Sequence, residues 1–435
     1  VPMQNGGRGP QSRVIMHLDM DAFFVNVELL ARPELQGQRI IVARNSPRSV
    51  VLSASYEARQ FGVGSAMPLA QALRRCPGAV LIEPSARYRD YSAHVMGILR
   101  DVTDRVEQVS VDEAFVDLTG AMRAQGNPVE LAQGVRARIV DELHLPSSAG
   151  ISSTKFVAKV ASTGSKPNGL WVVPPRRIQE FLDPLPIEKL WGVGAKSAQN
   201  LHGFGIHTVA QLREYELGWL QGRLGKAAGS HLYEMARGID RREVVPYRHE
   251  KSIGAEHTFV TDQTDASAIA AELYTLCLTV ARRLRASGKQ PRGLSLKIRY
   301  SDFVTLTRSC PLDIPTTSGR ALYRAVHSHL QRLGLLDAQG ASPRPIRLVG
   351  VRAEKLESKD AGVQLSLFEQ EGAGGDPVGL TTVRSDASAE NFGEPDSLRE
   401  HWERAEAAMD QIHSKFGSRG LLPARLLNPT MQKSG

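Results

Sequence analysis

RVIMHLDMDAFF (residues 13–24) and VEQVSVDEAFVDL (residues 106–118) are the two stretches on which the reading of this chain turns. In the first, Val14 to Leu18 form a short apolar run that predicts a buried strand ending at Asp19. In the second, the residues alternate as in a β-hairpin, with Asp112 and Glu113 near its turn. If the two strands are neighbours, three carboxylates meet at one end of a sheet. Such a cluster repels itself unless cations neutralise it. Magnesium suits it, because the ion takes oxygen ligands and keeps positions open for phosphates. Two such ions about 4 Å apart can activate a hydroxyl and stabilise a leaving pyrophosphate in line. An Asp-Glu pair alone is more often a plain turn, so the weight falls on its surroundings.

Outward from these stretches, short strands are expected at Ile40–Ala43 and Val50–Ser55, and SYEARQFGV reads as a helix start. Tyr88, Tyr91, Val95, Ile98 and Val102 recur at helical spacing. Further helices are expected over Val129–Leu143 and near Lys155–Ser162, so the body to about residue 178 is α/β or α+β. From Pro184 the chain turns to glycines and short helices, and residues 244–253 read as a linker. A strand (Ser252–Val260), a helix (Asp265–Ser287), two strands (Gly293–Tyr300 and Phe303–Ser309), a helix (Ser318–Leu333) and a strand (Ile346–Val351) follow. This βαββαβ order is that of a split βαβ unit, with Asp265 as N-cap and Gly288 as C-cap. In its hairpin Leu294, Leu296, Ile298 and Tyr300 point to a core, and Ser295, Lys297 and Arg299 point away. Beyond residue 358 a Gly/Asp/Glu/Ser-rich segment reads as disordered to about residue 395. A terminal helix over 396–416 then carries Trp402, Ala405, Met409, Ile412 and Phe416 as a stripe.

At 435 residues the chain is long enough for about three domains at roughly 150 residues each. Its apolar runs are too short for a membrane helix, and residues 1–13 hold no hydrophobic stretch, so neither a span nor a signal peptide is expected. Three scattered cysteines fit a reducing cytoplasm rather than a disulfide framework. The net charge of +8 is uneven: residues 358–435 hold 8 basic and 12 acidic residues, which leaves +12 on residues 1–357. Residues 248–357 alone carry +7. A basic body with an acidic tail points to a polyanionic partner.

HLDMDAFF, ASYEARQFGV, SVDEAFVD, SKPNG and LWGVG occur in an order and at spacings that resemble the Y-family DNA polymerases, in their DNA polymerase IV (DinB) branch. The resemblance spans residues 13–357. It implies an α+β right-hand polymerase: palm (13–30 and 87–178), small fingers (31–86), helix-hairpin-helix thumb (179–243), linker (244–253), βαββαβ little finger (254–357) and a flexible tail (358–435). Asp19 and Asp112 would then hold two magnesium ions, for which manganese can substitute; Glu113 would complete the site and the Met20 carbonyl would add a ligand. Asp21, next in the chain, is read as structural.

The same resemblance assigns the incoming deoxynucleoside triphosphate to Ser53, Tyr56, Arg59, Lys166 and the backbone amides of Phe23 and Phe24. Phe24 takes the position of a steric gate that excludes a 2′-hydroxyl. Gly192, Gly194 and Lys196 lie in LWGVGAKSAQNLHGFGI, a helix-hairpin-helix that would hold a DNA backbone without reading sequence. Lys251, Lys297, Arg299 and Arg308 are candidates for duplex phosphates of the primer-template. In the tail, Gln364, Leu365, Ser366, Leu367 and Phe368 resemble the pentapeptide that docks on the bacterial sliding clamp. The implied enzyme is a monomeric, cytoplasmic, low-fidelity translesion polymerase without proofreading. A catalytically weak, clamp-recruited DNA-binding scaffold and a nucleotidyl cyclase with a similar palm are the alternatives. The intact carboxylate set argues against the first; the helix-hairpin-helix and basic C-terminal region argue against the second.

Overall fold

The computed structural model describes residues 13–122, 126–247, 249–312, 314–334, 341–359 and 396–416. The pentapeptide 364–368 and the expected disorder to residue 395 lie outside the described residues. The chain divides into two units, residues 1–248 and 249–435.

In the first unit, β1 (Ile15–Met20) leads into α1 (Phe23–Leu29). A small sheet follows, from β2 (Ile40–Val42), β3 (Ser53–Ala54) and β4 (Val80–Ile82), with α2 (Tyr56–Arg59) and α3 (Leu69–Arg75) between its last two strands. Its strand order is β3-β2-β4. These are the fingers. Then come α4 (Tyr88–Val102), β5 (Val106–Gln108), β6 (Glu113–Asp117), α5 (Pro128–Leu143), β7 (Ser147–Ser152), α6 (Lys155–Gly164) and β8 (Leu170–Val172). The palm sheet has the order β5-β6-β1-β7-β8, and β1 lies antiparallel to both neighbours.

Side-chain alternation along β1 sorts its residues between two layers. Met16, Leu18 and Met20 share one core with Val95, Ile98 and Leu99 of α4 and Val135 and Ile139 of α5. Ile15 packs on the other face with Phe115 and Ala158, on the side of α6. Asp19 has the parity of Ile15, so it too faces the α6 layer, one residue before the strand ends. The α6 helix lies close on the sheet because β7 offers a glycine: a Cβ on Gly150 would meet the Ala158 carbonyl oxygen at 2.1 Å.

The thumb is helical: α7 (Ile178–Leu182), α8 (Ala195–His202), α9 (Val209–Arg213), α10 (Leu217–Leu224) and α11 (Lys226–Ala236). Just after it, Val244 is buried and the Val245 N–H donates to Glu107 at 2.9 Å. Residues 244 and 245, read from sequence as linker, are therefore held by the first unit.

The second unit is a four-stranded sheet under two helices. In chain order these are β9 (Ser252–Asp265), α12 (Ala266–Ser287), β10 (Lys289–Tyr300), β11 (Thr305–Pro311), α13 (Gly319–Arg332) and β12 (Ala341–Ser358). The order is β11-β10-β12-β9, with β12 antiparallel to β10 and to β9. It thus splits the β9-α12-β10 unit, as the element order predicts. The Asp265 side chain caps α12, and Gly288 ends it in the left-handed region at φ 64°. Leu294, Leu296, Ile298 and Tyr300 are all buried under the helices. The last described element is α14 (Asp396–Phe416).

Candidate active site

Asp19 of β1 lies directly across from Glu113, the first residue of β6. The Met20 N–H donates to the Asp112 carbonyl at 2.9 Å, so the residue before Glu113 is bound to the same strand end. Two stretches 94 positions apart therefore deliver Asp19, Asp112 and Glu113 to one edge of the palm. Ser110 orders the turn: its hydroxyl donates to Asp112 Oδ1 at 2.5 Å, and it accepts from the Glu113 N–H at 3.2 Å.

Two lysines answer these acids. Lys166 Nζ lies 2.5 Å from Asp19 Oδ1, and Lys159 of α6 pairs with Glu113. Burial pushes the Asp19 carboxyl above its ordinary range against the pull of Lys166, and the negative charges of Asp112 and Glu113 push the same way. Glu113 goes the other way, held at about 2 by His17 and by Lys159. His17 is fully buried and burial lowers its own pKa, so it is neutral near pH 7. Its Nδ1 bonds the Ser162 hydroxyl at 2.7 Å, and its Nε2 stands 3.4 Å from Glu113.

The Trp191 ring stacks on Phe115 at 5.9 Å between centroids, with the Arg242 guanidinium 4.0 Å and Lys159 Nζ 5.8 Å from it. His17, Lys159 and Trp191 were not singled out from sequence. A lysine on a helix is solvated by default, and the only signal was that Lys155 and Lys159 share a helical face.

Asp21 is structural, as read from sequence. It is buried and accepts from Tyr56 Oη at 3.1 Å, Ser148 Oγ at 3.0 Å and the Asn168 N–H at 2.7 Å. Tyr56 is thereby turned to Asp21, while Arg59 stacks 4.8 Å over its ring and donates to the Ala54 carbonyl. Ser53 is buried in β3. Phe23 is buried, and the half-buried Phe24 packs edge-on against Tyr88 at 4.3 Å. Their amides precede the first helical bond of α1, from Asn26 N–H to Ala22 O, and so lie in the turn where helix donors are left over.

The candidate DNA contacts divide. Gly192 has φ +96°, and a Cβ there would press on His231 at 3.0 Å; Gly194 has an ordinary φ of −85° at the start of α8, with open space around it. Lys196 and Lys251 are exposed. In the second unit Lys297 pairs with Glu256 at 2.6 Å, and Arg299 donates to Thr305 at 2.9 Å. Both stand on the sheet face away from the helices, together with Arg352, which pairs across from Ser295 and was missed from sequence. Arg308 is exposed and sits across from Leu296, so it projects to the helix side, the face opposite Lys297 and Arg299.

Among the described residues no three His, Cys, Asp or Glu side chains are gathered into a ready metal cage. The donor set nevertheless fits a hard divalent cation. It offers three carboxylates and a carbonyl, no sulfur, and mutual repulsion that a cation would relieve. An open mixed palm sheet with acids at one strand end, small fingers, a helical thumb and a basic split-βαβ domain define a right-hand nucleic acid polymerase.

Comparisons narrow that class. Residues 18–163 match the impB/mucB/samB family, residues 250–367 its C-terminal domain, and residues 188–240 the thumb domain of DNA polymerase iota. The chain is 38% identical to a DNA polymerase IV of Desulfatibacillum aliphaticivorans, over 95% of this chain and 97% of that one. It is 42% identical to a DNA polymerase IV of Halorhodospira halophila, over 80% of this chain and 96% of the relative. Among solved structures, a Y-family DNA polymerase chimera superposes with a TM-score of 0.71 at 25% identity, covering 79% of this chain and 99% of that one. The chain belongs to the DNA polymerase IV (DinB) branch of the Y-family DNA polymerases.

Proposed function

We propose that Asp19, Asp112 and Glu113 are the catalytic residues with which this chain carries out the template-directed, translesion DNA synthesis of its family. The observation that carries this reading is the cross-strand placement of Asp19 against Glu113, with Asp112 tied to the same strand end. The three carboxylates and the Met20 carbonyl would hold two magnesium ions, or manganese in their place, and these supply charge neutralisation for phosphoryl transfer. Glu113, ionised far below neutral pH, stands ready to accept a cation's charge without a proton change. Lys166 and Lys159, now on the acids, are the cations nearest to an arriving triphosphate and bind its oxygens as the acids take up metal. Arg59 supports the same phosphates from the fingers, and Tyr56 and Ser53 contribute hydroxyls there.

Phe24, braced by Tyr88, is the steric gate: a ring fixed under the sugar excludes a 2′-hydroxyl and leaves it without a partner. The helix-hairpin-helix around Gly192 and Lys196 holds DNA backbone, and Lys297, Arg299 and Arg352 form the phosphate-facing surface of the little finger. Support for DNA binding by this surface is its charge and its family match. The pentapeptide 364–368 tethers the enzyme to a sliding clamp, which raises its local concentration at primer ends. Among the described residues no helix is long and apolar enough to cross a membrane.

Primer extension with magnesium and deoxynucleotides tests the site. Wild-type chain extends a primer only on template, and Asp112→Ala abolishes extension. Equal extension by both proteins removes the site assignment.

A further inference from the structure

The helix α14 follows the little-finger sheet at a distance in sequence, and nothing in the proposed polymerase cycle uses it. Its apolar stripe is only half-buried: Trp402, Ala405, Met409 and Ile412 all keep part of their surface in solvent. The residue of α14 that is most deeply buried is an acid, Glu406, at 5% exposure.

Glu406 is fully partnered. One oxygen accepts from the Gly319 N–H at 2.8 Å and from Arg285 at 2.7 Å. The other accepts from the Ser318 hydroxyl and the Arg320 N–H, each at 3.2 Å. Gly319 and Arg320 are the first residues of α13, so this carboxylate closes a helix N-terminus whose amides have no partners within the helix. One turn to either side, α14 repeats the contact. Glu403 accepts from Thr316 Oγ1 at 3.1 Å and from the Thr317 N–H at 3.2 Å, and Asp410 takes Arg285 Nε at 2.8 Å. Arg285, anchored in α12 and donating also to the Thr317 carbonyl at 2.7 Å, is the cation at the centre. The Arg320 guanidinium lies 4.6 Å over the Trp402 ring.

We propose that α14 is a clasp: its acidic face, Glu403, Glu406 and Asp410, is the dedicated ligand of a carboxylate-binding surface formed by Arg285 and the start of α13. The clasp holds the chain to the little finger on both sides of residues 360–395. The near end is fixed where the Lys359 N–H donates to the Gly288 carbonyl at 3.0 Å. The two ends also meet each other, with Lys359 Nζ 3.9 Å from Glu403. The apolar pentapeptide 364–368 lies between these two holds in sequence. The clasp rests on the described contacts and stands whether or not the pentapeptide docks on a clamp.

The hold is mainly ionic, and because Arg285 and Glu406 are largely buried, salt screens their pair little. Charge complementarity also makes the surface specific. A neutral amphipathic helix would leave Arg285 and the α13 amides without partners, at the cost of an unpaired buried charge.

Spin labels test the clasp in the full chain. All three native cysteines are buried and free, so Ala286→Cys and Ala408→Cys, both at exposed positions, accept label selectively. The clasp requires one narrow spin–spin distance, below about 25 Å, in the otherwise wild-type chain. Glu406→Arg with Asp410→Arg replaces it by a broad distribution centred near 33 Å, the span of a random coil as long as residues 360–395. A broad distribution in the unmutated background overturns the proposal. Amide exchange is the second measurement, needing no label. Glu406→Ala speeds exchange at Gly319 and Arg320 at least tenfold, while primer extension without any clamp stays at the wild-type rate as the control for folding. Unchanged exchange at those two amides overturns it equally.

Discussion

Gly150→Ala is a substitution that touches no substrate, and its effect can be worked from the backbone. The new methyl carbon would stand 2.1 Å from the Ala158 carbonyl oxygen, 2.3 Å from the Ser162 nitrogen and 2.9 Å from the Ala161 Cβ. Two of these three atoms are backbone of α6, so no rotamer change relieves the clash. An ordinary contact needs about 1 Å more room, and α6 must move off the sheet by that amount. Overpacking of this kind costs about 1–3 kcal/mol or more. The same shift carries Lys159 away from Glu113 and Ser162 away from His17. A displacement of roughly 1 Å in a catalytic array costs on the order of 100-fold in rate. Single-turnover primer extension is the assay, with thermal melting beside it. The expected result is a rate loss of about 100-fold measured at a temperature where the variant is still folded. A variant that melts with the wild type and extends within twofold of its rate would refute the argument that α6 is set by this contact.

Three further outcomes follow from single contacts. Phe24→Leu empties the ring beneath the sugar, so ribonucleotide incorporation rises by at least tenfold relative to deoxynucleotide in matched extension assays; unchanged discrimination removes the gate. Lys155→Met removes the cation of a buried pair, Lys155 Nζ to Glu107 at 2.5 Å, for a loss of about 3–5 kcal/mol in chemical denaturation. Glu28 is buried, which alone would raise its pKa, but bonds from Ser85, Tyr88 and Arg32 outweigh this and hold it below the usual carboxylate range. A depressed folded pKa stabilises above the unfolded value near 4.3 and is lost as pH falls through the folded one. The melting gap between wild type and Glu28→Gln is therefore full near neutral pH and closes as the pH falls below the unfolded value; a gap that widens on acidification contradicts it.

Much of the architecture was legible where local chemistry and tertiary environment agree. Of the stripe read on the helix over Tyr88–Val102, Tyr88, Val95 and Ile98 are buried and Tyr91 and Val102 half-buried. Asp265 and Gly288 bracket α12 because a side-chain cap and a left-handed stop are local requirements. The meeting of Asp19 with Asp112 and Glu113 was legible only conditionally, since pairing of β1 with β6 is a long-range fact. The failures share a cause. The face on which Arg308 stands was not legible, because the β10–β11 connection sets register, and register sets parity. That turn includes Phe303 at φ 66°, which the sequence reading had placed inside the strand. Glu406 went unnoticed because an acid on an amphipathic helix reads as its solvated side. Only the end of α13 and Arg285 explain its burial. Lys159 was hidden in the same way until Glu113 stood across from it.

The Trp191 ring has the Arg242 guanidinium and the Lys159 ammonium near it and stacks on Phe115, in the strand that begins at Glu113. This makes the indole an internal optical gauge of the acids. When Lys159 leaves Glu113 for a phosphate, the charge beside the ring changes and its emission shifts, with no dye attached. The chain has four tryptophans, so Trp171, Trp219 and Trp402 can be replaced by phenylalanine to leave one signal. Stopped-flow fluorescence of such a variant would then time the hand-over of cations before any bond is made.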